Sequence, residues 1–303
     1  MSAYQKTIGR AVTLEGFGVH GGAAASVTFI PAQADSGIIF RRSDIKQGSR
    51  DIRAHVSQVG ATDLCTALGP EDARINTVEH LMAAIAALGI GNLLVEVDGP
   101  EIPILDGASA RFIVALDEAG IVTQPAKRRF IRILKAVRAE VGSSWAEFQP
   151  YAGTRYEVGI DFECPLIGQQ KFTGDMSETV FRKEISTART FGFMRDVERL
   201  WAAGLALGSS LENSLVIGDD NSVINPGGLR FKDEFVRHKT LDAVGDLALA
   251  GMPFIGCFRS CRGGHRLNSE AVKALLSDEA NFEIIEAANE NSHVGTGVVP
   301  QAR

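Results

Sequence analysis

Four cysteines in 303 residues are too few and too irregularly placed to staple a fold. Cys65, Cys164, Cys257 and Cys261 form no disulfide framework, and Cys257-x3-Cys261 lacks the second pair that a structural zinc site requires. They read as reduced thiols, and a cytoplasmic location is expected. A long hydrophobic run is missing as well. The longest, Leu81 to Val95, is interrupted by Gly89, Gly91 and Asn92, so no transmembrane segment is expected, and at most peripheral membrane association. The first residues, Met-Ser-Ala-Tyr-Gln-Lys-Thr, contain no hydrophobic signal region. Nor is there a surplus of positive charge. With 31 Lys and Arg against 37 Asp and Glu the formal charge is -6, which argues against a nucleic-acid partner. An anionic small substrate would need a local basic patch. What is present, 45% apolar and 22% charged residues, suits a globular chain long enough for two domains.

The two halves echo one another. Val27-Thr28-Phe29-Ile30-Pro31 is matched by Ala146-Glu147-Phe148-Gln149-Pro150. Each is followed by a polar turn and an alternating, strand-like run, Gly37 to Phe40 and Tyr156 to Phe162. His80 to Gly89 and Asp242 to Gly251 read as helices closing at glycine, followed by apolar strands from Asn92 to Val97 and from Pro253 to Phe258. Two more helices, Ser109 to Ala119 and Asn268 to Leu276, come next, each introduced by a Ser or Asn cap. The pattern predicts strands, helix, strand, helix in each half, although the matched stretches are short enough to arise by chance. A boundary falls near Pro125-Ala126-Lys127-Arg128-Arg129, dividing residues 1–126 from 127–303, ahead of a strand from Phe130 to Val137.

Chemistry concentrates on two of these helices. His238, Asp242 and Asp246 are spaced i, i+4, i+8, so all three project from one helix face. Imidazole and carboxylate one turn apart can hold one divalent ion, and a catalytic zinc site takes three protein ligands with a further position left open. His80 offers the third. In the helix from Thr77 to Leu88 the bulky stripe is Val78, Leu81, Met82, Ile85 and Leu88, and at 100° per residue His80 points about opposite it. That face carries Ala83, Ala84 and Ala87, which signals close approach to another element. Glu79, in the positive first turn, is placed to act as a general base beside such a site. Taken alone, His80 reads equally as a hydrogen-bonded structural histidine, and the 238–246 stripe as a solvated face. The metal reading comes from the joint pattern.

Four motifs then occur in order: Thr77-Val78-Glu79-His80-Leu81, Ala188-Arg189-Thr190-Phe191-Gly192-Phe193, Phe235-Val236-Arg237-His238-Lys239-x-Leu-Asp242-x-x-Gly-Asp246, and Gly264-His265-x-Leu-Asn268. With Gly16 to His20, Asp98 to Gly107 and Gly228 to Phe231, they make the chain resemble the UDP-3-O-acyl-N-acetylglucosamine deacetylase family up to about residue 276. The last 25 or so residues carry no diagnostic feature and are expected to be a mobile tail.

The resemblance implies a zinc-dependent amidohydrolase that removes acetate from an acylated UDP-glucosamine, the committed step of lipid A (lipopolysaccharide) synthesis in Gram-negative bacteria. It implies an α+β fold of two duplicated domains, each a mostly antiparallel sheet with two helices. The helix layers pack face to face in a β-α-α-β sandwich. Each domain carries an insert, about 41–73 in the first and 194–227 in the second, where an acyl-chain passage is built.

The implied metal is Zn2+ on His80, His238 and Asp242, with Fe2+ also compatible. By the same resemblance Glu79 is the general base and Thr190 an oxyanion donor. His265, oriented by Asp246, stabilises the intermediate as imidazolium and protonates the leaving amine. Lys239 contacts the sugar or oxyanion region, Phe191 stacks on the glucosamine, and Arg262 is a candidate for the diphosphate. Leu64, Val197, Leu211 and Val216 are expected to bind the substrate, and His20 to border the site. Cys65 is a bystander or an inhibitory second-metal ligand. A monomer is expected.

Plainer readings stand beside several of these. Met194, Val197, Leu200, Leu205, Leu207, Leu211, Leu215 and Val216 have the spacing of ordinary core. His265 alone could be a surface-loop histidine, and Arg262 a solvated arginine. The functional alternatives are a metal-dependent amidase on another acylated substrate and a non-catalytic lipid- or sugar-nucleotide-binding protein on the same scaffold. The latter would be expected to lack Glu79, a metal ligand or His265, and all are present.

Overall fold

Alternation of apolar and polar residues sets the strands of both halves. Val27 and Phe29 in the first half, and Ala146 and Phe148 in the second, all turn into the core. The computed structural model describes residues 3–46 and 51–287. In chain order the first half contains β1 (Tyr4–Ile8), β2 (Val12–Phe17), β3 (Ala24–Pro31), β4 (Ile38–Arg42) and β5 (Asp51–Arg53). These are followed by α1 (Glu79–Leu88), β6 (Leu93–Val97), α2 (Ala110–Glu118) and β7 (Ile121–Lys127). The second half opens with β8 (Arg129–Ile133), β9 (Val137–Val141), β10 (Ser144–Gln149), β11 (Thr154–Asp161) and β12 (Gln169–Asp175). It continues with α3 (Glu178–Val180), β13 (Phe191–Phe193), α4 (Val197–Ala202), β14 (Leu215–Ile217), α5 (Glu234–Ala248), β15 (Phe254–Cys261), α6 (His265–Leu276) and β16 (Phe282–Glu286).

The two main sheets are ordered alike. One runs β2-β3-β6-β4-β5 and the other β9-β10-β15-β11-β12. Each has one internal parallel pair at the same place, β4 with β6 and β11 with β15, and is otherwise antiparallel along this order. The antiparallel pair β1-β7 likewise has a counterpart in β8-β16. Helices α5 and α6 pack on the second sheet, α2 contacts β2, and α1 lies along α5. This is an α+β sandwich with the helices in the middle.

A close helix–helix approach needs small residues at the crossing. A Cβ at Gly245 of α5 would collide with the Glu79 carbonyl of α1, so glycine is required for the two backbones to meet. Ala83 and Ala84 are fully buried, as the small face of α1 anticipates. Helix α1 ends where Gly89 takes φ +68° and returns its N–H to the Ile85 and Ala86 carbonyls.

Three boundaries differ from the sequence reading. The run expected as one strand from Phe130 to Val137 is split: β8 pairs with β15 and β16, while β9 pairs with β10, and Leu134 between them donates its N–H to the Asn281 carbonyl. Helix α5 begins at Glu234, ahead of the histidine. Helix α6 begins at His265, three residues before the expected cap Asn268, whose side chain is engaged with Asp246 instead.

Candidate active site and metal centre

His80 lies in the first turn of α1, His238 and Asp242 one turn apart on α5, and all three are buried. Asp242 Oδ1 stands 3.3 Å from His238 Nε2 and 3.4 Å from His80 Nε2. Each of the three residues offers a donor atom within 4.8 Å of the others. The imidazole planes of the two histidines are near perpendicular, with centroids 5.0 Å apart.

The protonation pattern leaves lone pairs facing one another. His238 Nδ1 lies 3.1 Å from the Ala188 carbonyl, which can only accept a hydrogen bond, so Nδ1 carries the hydrogen and the Nε2 lone pair faces Asp242. Burial lowers the His238 pKa to about 3, so the ring is neutral at pH 7. Burial alone would raise the Asp242 carboxyl. The surrounding imidazoles and the Lys239 ammonium outweigh it and hold the group well below the usual range. With His238 neutral, Lys239 is the durable counter-charge, its Nζ donating to Asp242 Oδ2 at 2.8 Å.

Asp242 Oδ1, the oxygen facing both imidazoles, is buried without a hydrogen-bond partner. An orphaned carboxylate oxygen among imidazole nitrogens is the donor set of a divalent cation. A tetrahedral ion bound at about 2.0–2.1 Å needs donor atoms about 3.3–3.4 Å apart, which is the spacing found between Asp242 and each histidine.

A second layer of hydrogen bonds joins the acid–base groups. Thr66 N–H donates to Glu79 Oε2 at 3.0 Å, and Thr66 Oγ1 donates to Asp246 Oδ1 at 2.6 Å. Asp246 Oδ2 in turn meets His265 Nδ1 at 3.0 Å and accepts from Asn268 Nδ2 at 2.8 Å. Burial raises the Glu79 pKa, with the neighbouring imidazoles opposing it. For His265 burial acts against the charged ring, but the carboxylates of Asp246 and Glu79 prevail and its pKa rises to about 9. His265 is therefore an imidazolium at neutral pH, with Nε2 facing the metal cluster 4.0 Å from Asp242 Oδ2. It is buried at the start of α6, not on a surface loop.

These groups open into one cavity of about 750 Å³. Glu79, His80, Thr190, Phe191, His238, Lys239, Asp242 and His265 line one part of it; Leu64, Val197, Leu211, Val216 and Arg262 also line it, as does His20. Phe191 is wedged edge-on against Phe235, 5.0 Å between centroids, with Lys239 Nζ 5.9 Å from its own ring centre. Arg262 is exposed and donates to the Ser143 carbonyl. In β14 the two-residue period turns Val216 to the cavity and buries Leu215 and Ile217 in the core. Of the apolar residues noted in 194–216, Leu205, Leu207 and Leu215 do not line the cavity, whereas Met194 and Leu200 do.

Backbone strain collects around this space. Leu64, Thr77, Ala206 and Arg262 all hold positive φ between 51° and 67°, and all four line the cavity. Such conformations cost about 1–3 kcal/mol each and persist only where surrounding contacts impose them. At Thr77 the hydroxyl donates to Glu101, whose carboxylate also accepts the N–H groups of His20 and Gly21.

Several members of the site gave no usable signal in the sequence. Thr66 is an isolated polar residue whose role depends on a long-range contact, and Asn268, though it ends the Gly264–Asn268 motif, reads locally as a helix cap and not as a partner of Asp246. Glu234 is wholly buried, accepts from the Arg189 backbone and guanidinium and from Arg230 N–H, and so pins the 188–193 segment to the start of α5. Trp201 also lines the cavity, and its place at helical spacing from Val197 was the available hint. Cys65 is buried, its thiol pushed up to about 12 by burial, and it does not join the metal cluster. His55 sits apart beside Gly251, and His293 is outside the described residues. No helix among the described residues is long and apolar enough to cross a membrane.

The profile of the family described as UDP-3-O-acyl N-acetylglycosamine deacetylase matches residues 5–277. Proteins named UDP-3-O-acyl-N-acetylglucosamine deacetylase from Brucella ovis, Brucella canis and Brucella melitensis are each 77% identical to this chain over 287 residues. Those alignments cover 95% of this chain and the whole of each relative. The chain belongs to the UDP-3-O-acyl N-acetylglycosamine deacetylase family.

Proposed function

We propose that this protein hydrolyses the acetamide of UDP-3-O-acyl-N-acetylglucosamine, giving the free amine and acetate in lipid A biosynthesis. The observation that carries the reading is the partnerless Asp242 Oδ1 between two imidazoles, flanked by Glu79 and the Asp246–His265 pair in one cavity.

His80, His238 and Asp242 would hold the metal, and the tetrahedral spacing of their donors favours Zn2+ over Fe2+. When bound, the ion would polarise the acetamide carbonyl and acidify water. Glu79 accepts the proton of the attacking water, held in place by the Thr66 N–H. The Thr190 hydroxyl, on the cavity wall, donates to the developing oxyanion, a contact that contributes about 3 kcal/mol in comparable chemistry. His265 donates its Nδ1–H to the Asp246 carboxylate, offers positive charge to the intermediate, and passes the Nε2 proton to the departing nitrogen as the C–N bond breaks.

Lys239 is held at the metal face by Asp242 and donates to the sugar or oxyanion. Phe191 supports the glucosamine ring and Arg262 the diphosphate. Leu64, Val197, Leu211 and Val216 contact the acyl chain. We read the chain as two domains, 1–126 and 127–303, with inserts at about 41–73 and 194–227. The matching order of the two main sheets supports that division. We further read the protein as a cytoplasmic monomer, at most peripherally attached to membrane.

The test compares metal content and acetate release for wild type, Asp242→Ala and Glu79→Gln. Asp242→Ala should lose metal; Glu79→Gln should retain it and lose turnover. Equal activity in all three, or a preference for unacylated UDP-N-acetylglucosamine, would overturn the proposal.

A further inference from the structure

Helices α1 and α5 border a second cavity of about 470 Å³, within the range of small-molecule sites. Met82 and Ile85 of α1 and Val244 and Leu247 of α5 give it apolar walls toward the C-terminal ends of both helices, away from His80 and His238. Arg128, in the junction between β7 and β8, reaches into it. Its guanidinium lies 5.2 Å from the Phe130 ring centre and against Gly89, where a Cβ would come within 3.1 Å of Nη1. Among the described residues no carboxylate lies within 4.0 Å of that guanidinium, and no oxygen accepts a hydrogen bond from it. Arg128 is half-buried, whereas the buried arginines Arg42 and Arg189 each grip a carboxylate, Asp44 and Glu234. Burial pushes the Arg128 pKa down, but a guanidinium keeps its proton in a protein, so the positive charge stays. Lys6 and Arg129 line the same space and add to it. Of the two acids lining it, Glu178 pairs with Arg182, and Asp35 is exposed and accepts from the Gln5 amide at the rim.

A retained cation in front of apolar walls matches one ligand chemistry, a negative headgroup on an aliphatic chain. We propose that this cavity binds a single-chain anionic amphiphile, a long-chain carboxylate or an alkyl phosphate, with its headgroup on Arg128 and its chain between α1 and α5. The site is separate from the catalytic cavity, and its test does not depend on turnover.

The full chain is photo-crosslinked with diazirine-bearing dodecanoate, dodecyl phosphate and dodecanol, and the labelled peptides are mapped by mass spectrometry. Label is expected in residues 82–92 and 244–254 with one or both anions, and at least tenfold less with dodecanol; the stronger anion identifies the headgroup. Arg128→Glu should reduce that label at least tenfold and Arg128→Lys should largely preserve it, with label in residues 190–217 unchanged in both. Arg128→Gln, which removes the charge without reversing it, repeats the comparison if the Glu variant melts early. Equal labelling of wild type and charge-removed protein, equal labelling by dodecanol, or label confined to 190–217 would each overturn the assignment.

Discussion

Replacing Asp246 by Asn keeps an oxygen within reach of His265 Nδ1 but removes the charge that holds its proton. The geometry to be preserved is a 3.0 Å contact within a buried network. Burial works against the imidazolium, and Asp246 is the first of the carboxylates that overcome it to bring the pKa to about 9. Without that charge the pKa should return to the ordinary value near 6.5 or below. At pH 7.5 the protonated fraction then falls from about 0.97 to about 0.1, so kcat should drop roughly tenfold and recover most of the loss near pH 6. Acetate release measured between pH 5.5 and 10 should place the basic limb of kcat at least about 2.5 units lower in Asp246→Asn, with the acid limb governed by Glu79. A basic limb that stays near 9, or a loss of rate independent of pH, would refute the pairing as the source of the proton donor. The same shift has a stability consequence. Because the folded pKa of His265 lies above the unfolded value, its contribution is fully present below pH 6.5 and lost as pH rises toward about 9. That contribution is on the order of 3 kcal/mol, and its pH dependence should flatten in Asp246→Asn.

Three further outcomes follow from particular contacts. Gly245→Ala should destabilise the fold by about 1–3 kcal/mol and weaken metal retention, because the added methyl meets the Glu79 carbonyl; unchanged denaturant midpoint and metal content would refute the crossing. Glu234→Gln strands the buried Arg189 guanidinium and should cost about 3–5 kcal/mol in chemical denaturation, whereas a loss under 1 kcal/mol would mean the pair is dispensable. Val216→Trp should raise KM for long-chain substrates far more than for short-chain ones with kcat nearly kept, and an equal effect on both would remove Val216 from the acyl path.

The sequence alone decided features with a local period or a local chemistry. His238 and Asp242 face the same way because a helix places i and i+4 on one side, and Val27, Phe29, Ala146 and Phe148 turn inward because a strand alternates. Leu81 and Ile85 mark the buried stripe of α1, and the alanines opposite announce a close neighbour without naming it. Family motifs then brought Glu79, Thr190 and His265 together as a set. What no local rule supplies is the partner of a lone polar residue. Thr66 is 180 residues from Asp246, and a buried hydroxyl donating to a buried carboxylate leaves no trace in either segment. Asn268 resembled a helix cap because capping and a long-range amide–carboxylate bond draw on the same side chain. Arg128 looked like part of a basic linker, and only the packed α1–α5 seam places its charge at a cavity where no carboxylate among the described residues pairs with it. The His238–Asp242 pair meets a third candidate metal ligand for the same reason: Gly245 lets α1 approach α5 closely enough for His80 Nε2 to stand 3.4 Å from Asp242 Oδ1. Periodicity sets which way a side chain points, and tertiary packing sets what it meets.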